Sequence, residues 1–107
     1  MYQQRELFRI AVDRPGRLQL AGLSWPCTVV DLTDKGVRVR TDVPVAVGSD
    51  VELECRLNEH HVLRCTLHVT SAQAPFLRGP ITPASPEAQH RLNAFIDAVV
   101  AANLGGV

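Results

Sequence analysis

The stretches Val51-Glu52-Leu53-Glu54-Cys55-Arg56-Leu57 and Leu63-Arg64-Cys65-Thr66-Leu67-His68-Val69-Thr70 decide the fold of this chain. In both, the odd positions are apolar and the even positions are charged or polar. Strand side chains point alternately to the two faces of a sheet, so a period of two with one apolar face marks half-buried antiparallel strands. The two stretches are close enough to form a hairpin, and parity constrains it. Directly opposed residues share a face, so inward-facing Cys55 must oppose another odd-numbered residue. The connecting loop is then odd in length, expected to centre near His60, with Cys55 near Cys65.

Working outward, the same period recurs. Val37 and Val39 alternate with Arg38 and Arg40, and Arg17 to Leu20 alternates polar and apolar. The run from Trp25 to Leu32 is mostly apolar and is expected to be buried on both faces. A weaker final strand spans Phe76 to Ile81, with Pro80 marking it as an edge. Asp34-Lys35-Gly36 suits a three-residue hairpin loop with Gly36 in the left-handed position of a G1 bulge. Val47-Gly48-Ser49-Asp50 breaks the next pair. A helix is predicted from Ser85-Pro86-Glu87, with an N-cap serine, a first-turn proline and an early carboxylate. Ala88, Leu92, Phe95, Ile96 and Val99 then follow at helical spacing, and Gly105 is a suitable stop. Strands closing into a barrel, with one C-terminal helix packed on it, is the simplest architecture for this pattern.

Composition narrows the function. A chain of 107 residues reads as one domain, and 46% hydrophobic residues fit a globular one. Formal net charge is zero, which argues against broad binding to nucleic acid or to an anionic membrane. No run approaches the roughly 18 apolar residues of a membrane span, and the N-terminus lacks the apolar core of a signal peptide. Three cysteines, an odd number, fit reduced thiols in a cytoplasmic protein. Cys27, Cys55 and Cys65 are expected in the core rather than as nucleophiles or ligands, and Trp25 in the core or at a hairpin edge. His60 and His61 at a loop tip do not suggest a metal site, and no catalytic constellation is visible, so a non-enzymatic role is expected. Lys35 is the single lysine among 11 formal cations. The arginines offer planar forks of donors and faces that stack on rings, which lysine does not.

Two short motifs carry the functional reading. Arg5-Glu6-Leu7-Phe8-Arg9 sets two arginines four apart ahead of the first strand, and Asp31-Leu32-Thr33-Asp34-Lys35-Gly36 forms the second hairpin. In type, order and spacing, and with the closing segment Ser85 to Leu92, they resemble the PilZ domain family. Its members carry an Arg-x-x-x-Arg arm and an Asp/Asn-x-Ser-x-x-Gly turn. The resemblance covers nearly the whole chain. It implies an all-β fold with a C-terminal helix, a six-stranded antiparallel barrel over residues 14–104 with the helix at about 85–104. Residues 1–13 are expected to form a flexible arm.

The resemblance also implies a ligand, since many members bind the second messenger cyclic di-GMP. The implied ligand residues are Arg5, Arg9, Asp31, Thr33 and Gly36. A guanidinium can donate twice to guanine O6 and N7, pair with a phosphate or stack on a purine. Asp31 can accept from guanine N1–H and N2–H. Thr33 supplies a hydroxyl, and Gly36 admits close approach to the backbone. Thr33 stands where serine is commoner, and adds a methyl beside the base. Gln4 stands where some members have a further arginine and take a stacked ligand pair, which points to one ligand per site. Gly79-Pro80-Ile81-Thr82 departs from the family's last strand. The expected function is a receptor whose arm changes conformation on binding and which signals to an unidentified effector protein. No cofactor, metal, nucleic acid or membrane is expected to take part. The competing reading is an adapter of the same fold that binds no nucleotide.

Overall fold

The alternation in the two opening stretches becomes a buried and an exposed face. Val51, Leu53 and Cys55 on one strand and Leu63, Cys65 and Leu67 on the next are buried, while the even-numbered residues between them face outward. The computed structural model describes residues 9–105. Its strands are β1 (Ile10–Leu20), β2 (Leu23–Leu32), β3 (Gly36–Arg40), β4 (Asp50–Arg56), β5 (Val62–His68), β6 (Ser71–Gln73) and β7 (Phe76–Pro83), followed by helix α1 (Pro86–Gly105). Neighbouring strands run in the order β3-β2-β1-β4-β5-β7, and β3 pairs with β7 to close the ring. Every pairing is antiparallel. The result is the expected six-stranded barrel, with the three-residue β6 folded back on the start of β7.

Helix α1 begins as its sequence predicts. The Ala88 N–H donates to Ser85 Oγ at 3.1 Å, the N-cap bond. Leu92, Phe95, Ile96 and Val100 are buried, and the helix packs on β5 and β7. From the β4–β5 loop the His61 ring tilts against Phe95, with centroids 5.7 Å apart.

Four local expectations are corrected. The first strand begins at Ile10 rather than Arg17, so residues 10–13, assigned to the arm, are part of β1. Asp13-Arg14-Pro15 reads as a break, but the chain absorbs it as a bulge. Asp13 takes φ 47° and the register to β2 shifts between Ala11 and Arg14. Pairing of β1 with β4 starts only at Gly16, so Pro15 has a strand neighbour on one side alone, where proline is tolerated. The β4–β5 loop is odd in length, but Arg56 pairs with Val62, so it centres on Glu59. Cys55 then opposes Leu63, and Cys65 opposes Leu53.

The third correction concerns Pro80, which lies in a strand paired on both sides. The Ile81 N–H donates toward β3, to Lys35 O at 2.9 Å. Alternation turns the nitrogen of Pro80 to the other side, where pairing skips from Ile81, opposite Leu67 of β5, to Arg78, opposite Ser71 of β6. The missing donor falls in that gap. The fourth concerns Gly36, which does not adopt a positive φ; among the described glycines only Gly22 and Gly48 do. Gly36 is small for a different reason. A Cβ there would lie 3.1 Å from Gly79 O, across the closing seam.

The three thiols are buried as expected. Burial pushes Cys27 up from the usual 9.0 to about 11. Cys55 rises to about 12 by burial and the neighbouring Cys27, against the opposing pull of Arg14. Cys65 also rises to about 12, from burial first and then Glu52 and Cys55.

Two outcomes follow from this packing. Gly79→Ala should fail to close the barrel normally, because its Cβ would fall on the His68 carbonyl and lie 3.1 Å from Thr70 N. We expect a loss at or beyond the top of the ~1–3 kcal/mol range for overpacking, seen as a melting temperature lower by on the order of 10 °C; an unchanged melt would refute the close approach of β7 to the β5–β6 connection. Stability should also fall as pH rises above about 9, because the unfolded chain's thiols ionise first while the folded ones hold their protons to about 11–12. Urea titrations at pH 8, 9 and 10, compared with a variant carrying serine at the three positions, measure the cysteine share.

Candidate functional site

Asp31, Thr33 and Gly36 lie on one segment, the end of β2 and the turn into β3, and two local devices aim them. The first is a bulge. Val29 pairs with Val39 and Asp31 with Arg38, so Val30 is an extra residue on β2. Without it Asp31 would continue the inward set of Cys27 and Val29. The bulge reverses the parity, so Leu32 takes the inward place opposite Val37 and Asp31 shares the outward face with Arg38. The second device is the Thr33 hydroxyl, which accepts from the Lys35 N–H at 3.2 Å and the Gly36 N–H at 3.1 Å. The Thr33 N–H donates in turn to Gly36 O at 2.9 Å. This is a hydroxyl-capped turn of the kind that serine and threonine form.

Although Asp31 faces outward, it is only 6% exposed, because two arginines cover it. Arg38 donates from Nε to Oδ2 at 3.1 Å and also places Nη2 3.0 Å from that oxygen. Arg9, just ahead of β1, donates from Nη1 to Oδ1 at 3.3 Å. Arg38 has a second support, its guanidinium carbon standing 5.1 Å from the Phe76 ring centre.

Beside this carboxylate lies a cleft of about 350 Å³. Arg9, Asp31, Thr33 and Gly36 line it together, although they are scattered over 28 positions of sequence. Arg5 lies outside the described residues. The cleft also takes in Lys35, Thr70 and, from β7, Arg78, Gly79 and Pro80. Its charged lining is therefore three cations and one carboxylate. Arg78 directly opposes Arg38 across the seam. Facing like charges in a sheet are unfavourable, and Asp31 offsets one of them.

The sequence reading missed Lys35, Arg38, Thr70 and Arg78. The alternation did mark Arg38 as outward, but its pairing with Asp31 depends on the Val30 bulge, which no composition signal announces. A separate apolar groove of about 180 Å³, between residues 41–45 and 72–77, contains none of these site residues. Among the described residues no group of His, Cys, Asp and Glu could hold a metal, and no helix is long and apolar enough to cross a membrane.

A small antiparallel barrel with a C-terminal helix and an arginine-flanked acidic turn at its closing seam defines a class of domain. The PilZ domain family model matches residues 3–97, and the chain belongs to that family. Among solved structures it is similar to the Bacillus subtilis inhibitor of motility MotI/DgrA (TM-score 0.73, 13% identity, over 86% of this chain and 49% of that one). It is also similar to the PilZ domain of CeSA from a cellulose-synthesizing bacterium (TM-score 0.67, 14% identity, over 87% of this chain and 98% of that one). K. pneumonia MrkH in its apo state is a third (TM-score 0.72, 15% identity, over 92% of this chain and 52% of that one). The chain spans about half the length of MotI/DgrA and of MrkH. No curated protein matches it significantly.

The turn makes a clean prediction. Thr33→Val keeps the shape but removes the acceptor of two backbone N–H groups, and should cost about 1 kcal/mol. Thr33→Ser keeps the acceptor and should change stability by less than ~0.5 kcal/mol. Thermal unfolding of both variants checks this, and equal losses would mean the hydroxyl does not hold the turn.

Proposed function

We propose that this chain is a cytoplasmic, non-enzymatic receptor for cyclic di-GMP. The observation that carries the reading is the convergence of Arg9, Asp31, Thr33 and Gly36 on one cleft whose rim adds Lys35 and Arg78. The ligand has two guanines and two phosphates. A buried carboxylate accepts from the guanine N1–H and N2–H edge, and guanidinium groups serve O6, N7 and phosphate oxygens. An excess of cations around one carboxylate suits a dianion that also presents a donor-rich base edge. Family membership supports the same ligand.

In this reading Arg5 and Arg9 close over the bound nucleotide. Arg9 starts from Asp31 Oδ1, which the base edge claims, and moves to the ligand. The change in the segment ahead of β1 then alters the surface seen by an effector protein. The pairing of Asp31 with two arginines favours a second reading in one respect, because it satisfies the carboxylate with no nucleotide present. A nucleotide-free adapter, however, has no need to hold Arg9, Asp31 and Gly36 together on one cleft.

Calorimetric titration with cyclic di-GMP, beside GTP and cyclic di-AMP, tests the proposal. We expect low-micromolar binding, about 7–8 kcal/mol, and no comparable heat from the controls; absence of binding would favour the adapter. Arg5→Ala and Arg9→Ala should each abolish measurable binding with little change in melting temperature. Asp31→Asn should weaken it partially, since an amide oxygen accepts but its nitrogen does not. Amide exchange across residues 3 to 12 should slow at saturating ligand, and unchanged protection would sink the conformational switch.

A further inference from the structure

The two partners of Asp31 are unequal. Arg38 makes two contacts with one oxygen, at 3.0 and 3.1 Å, its side chain is 33% exposed, and Phe76 backs its guanidinium. Arg9 makes one contact, at 3.3 Å, with the other oxygen, and its side chain is 52% exposed. Arg38 is fixed at its base as well, on β3 directly across from Asp31, whereas Arg9 precedes the first strand. Arg9 lines the cleft and Arg38 does not. A molecule entering the cleft therefore meets Arg9 and Asp31, with Arg38 behind them.

We infer that Arg38 is the positioning residue of this site, holding Asp31 by Oδ2 so that Oδ1 is the oxygen released to the ligand when Arg9 moves. The inference rests on the reading that the cleft takes cyclic di-GMP. A carboxylate offers about four lone-pair directions. Arg38 engages Oδ2 alone, which leaves the lone-pair directions of Oδ1 for the ligand's N–H donors once Arg9 moves. That arrangement suits guanine, which presents N1–H and N2–H side by side. Adenine presents an acceptor at N1 and has no N2 amine, so the fixed carboxylate meets it lone pair to lone pair. Selectivity for guanine then depends on Asp31 keeping its orientation.

Without the Arg38 fork, the carboxylate is free to turn and take Arg9 with both oxygens. A bidentate Arg9–Asp31 pair would compete with the base for the same acceptors. Lysine at position 38 keeps the charge but has neither the fork nor the flat face that Phe76 supports, so it should not restore the orientation.

The test compares wild type, Arg38→Lys, Arg38→Met and Arg9→Ala in titrations with cyclic di-GMP and cyclic di-AMP, with a thermal melt for each. A nucleotide concentration high enough to measure the weaker ligand gives the ratio of the two dissociation constants. Arg38→Lys and Arg38→Met should lose tenfold or more in affinity for cyclic di-GMP while changing far less toward cyclic di-AMP, so the preference narrows. Arg9→Ala should lose measurable binding of both ligands together, as expected of a residue that contacts the ligand itself and not of one that orients Asp31. A purely structural role for Arg38 would lower the melting temperature without narrowing the ratio, and that result overturns the inference. Should the position 38 variants fold poorly, Phe76→Leu removes the plate behind the guanidinium and leaves the ion pair. It should narrow the preference in the same direction by about threefold, and an unchanged ratio there also overturns the inference. Failure of the wild type to bind cyclic di-GMP would remove the functional reading itself. Wild-type binding with unchanged position 38 variants would remove only the role of Arg38.

Discussion

Strand β3 must lie against β7 for the sheet to become a barrel, and the two backbones meet there with little room. A Cβ at Gly36 would crowd the Gly79 carbonyl, and one at Gly79 would strike the His68 carbonyl where the chain leaves β5. With Gly36 bare, β3 finds its hydrogen-bond partner on β7, and with Gly79 bare, β7 packs against the β5–β6 connection, so neither strand is left as an open edge. The six-stranded ring encloses Leu18, Val29, Val39, Leu53, Leu67 and Val69, all almost wholly buried. Helix α1 adds Leu92, Phe95 and Ile96 to the same core.

The cleft lies along this seam. One wall is the Thr33–Gly36 turn that starts β3, and another is Arg78 to Pro80 on β7. Closure thus brings Arg78 face to face with Arg38 and into the same cleft lining as Asp31. This facing of like charges, costly in a sheet, is kept here with a single carboxylate, Asp31, on the other side of Arg38. The resulting electropositive cleft has a donor-rich rim and one fixed acceptor, a combination with chemical sense for a phosphate-bearing guanine nucleotide.

Asp31 is held both by parts fixed in the sheet and by a residue outside the strands. The β2 bulge and the Thr33 turn are backbone features fixed by ladder and turn hydrogen bonds. Arg38 joins that rigid set through its register opposite Asp31 and its contact with Phe76. Arg9 reaches the same carboxylate from a position outside the strands.

The sequence by itself determined the period-two strands, the Ser85 cap of the helix and the grouping of Asp31, Thr33 and Gly36 in one turn, because each is set by neighbours within a few residues. It also determined the odd parity of the β4–β5 loop, because the side-chain alternation of a strand leaves no other choice. Tertiary structure alone decided the start of β1 at Ile10, where a bulge turns an apparent break into a strand, and the central place of Pro80, whose missing N–H falls where two ladders part. It alone decided that Gly36 is needed for the approach of β7 and not for a left-handed turn. The same holds for Arg38 and Arg78: their sequence marks them as outward-facing, but their meeting with Asp31 depends on a one-residue bulge and on the closure of strands about forty residues apart. Register over such separations is fixed by packing of the whole barrel, and no local stretch carries that information.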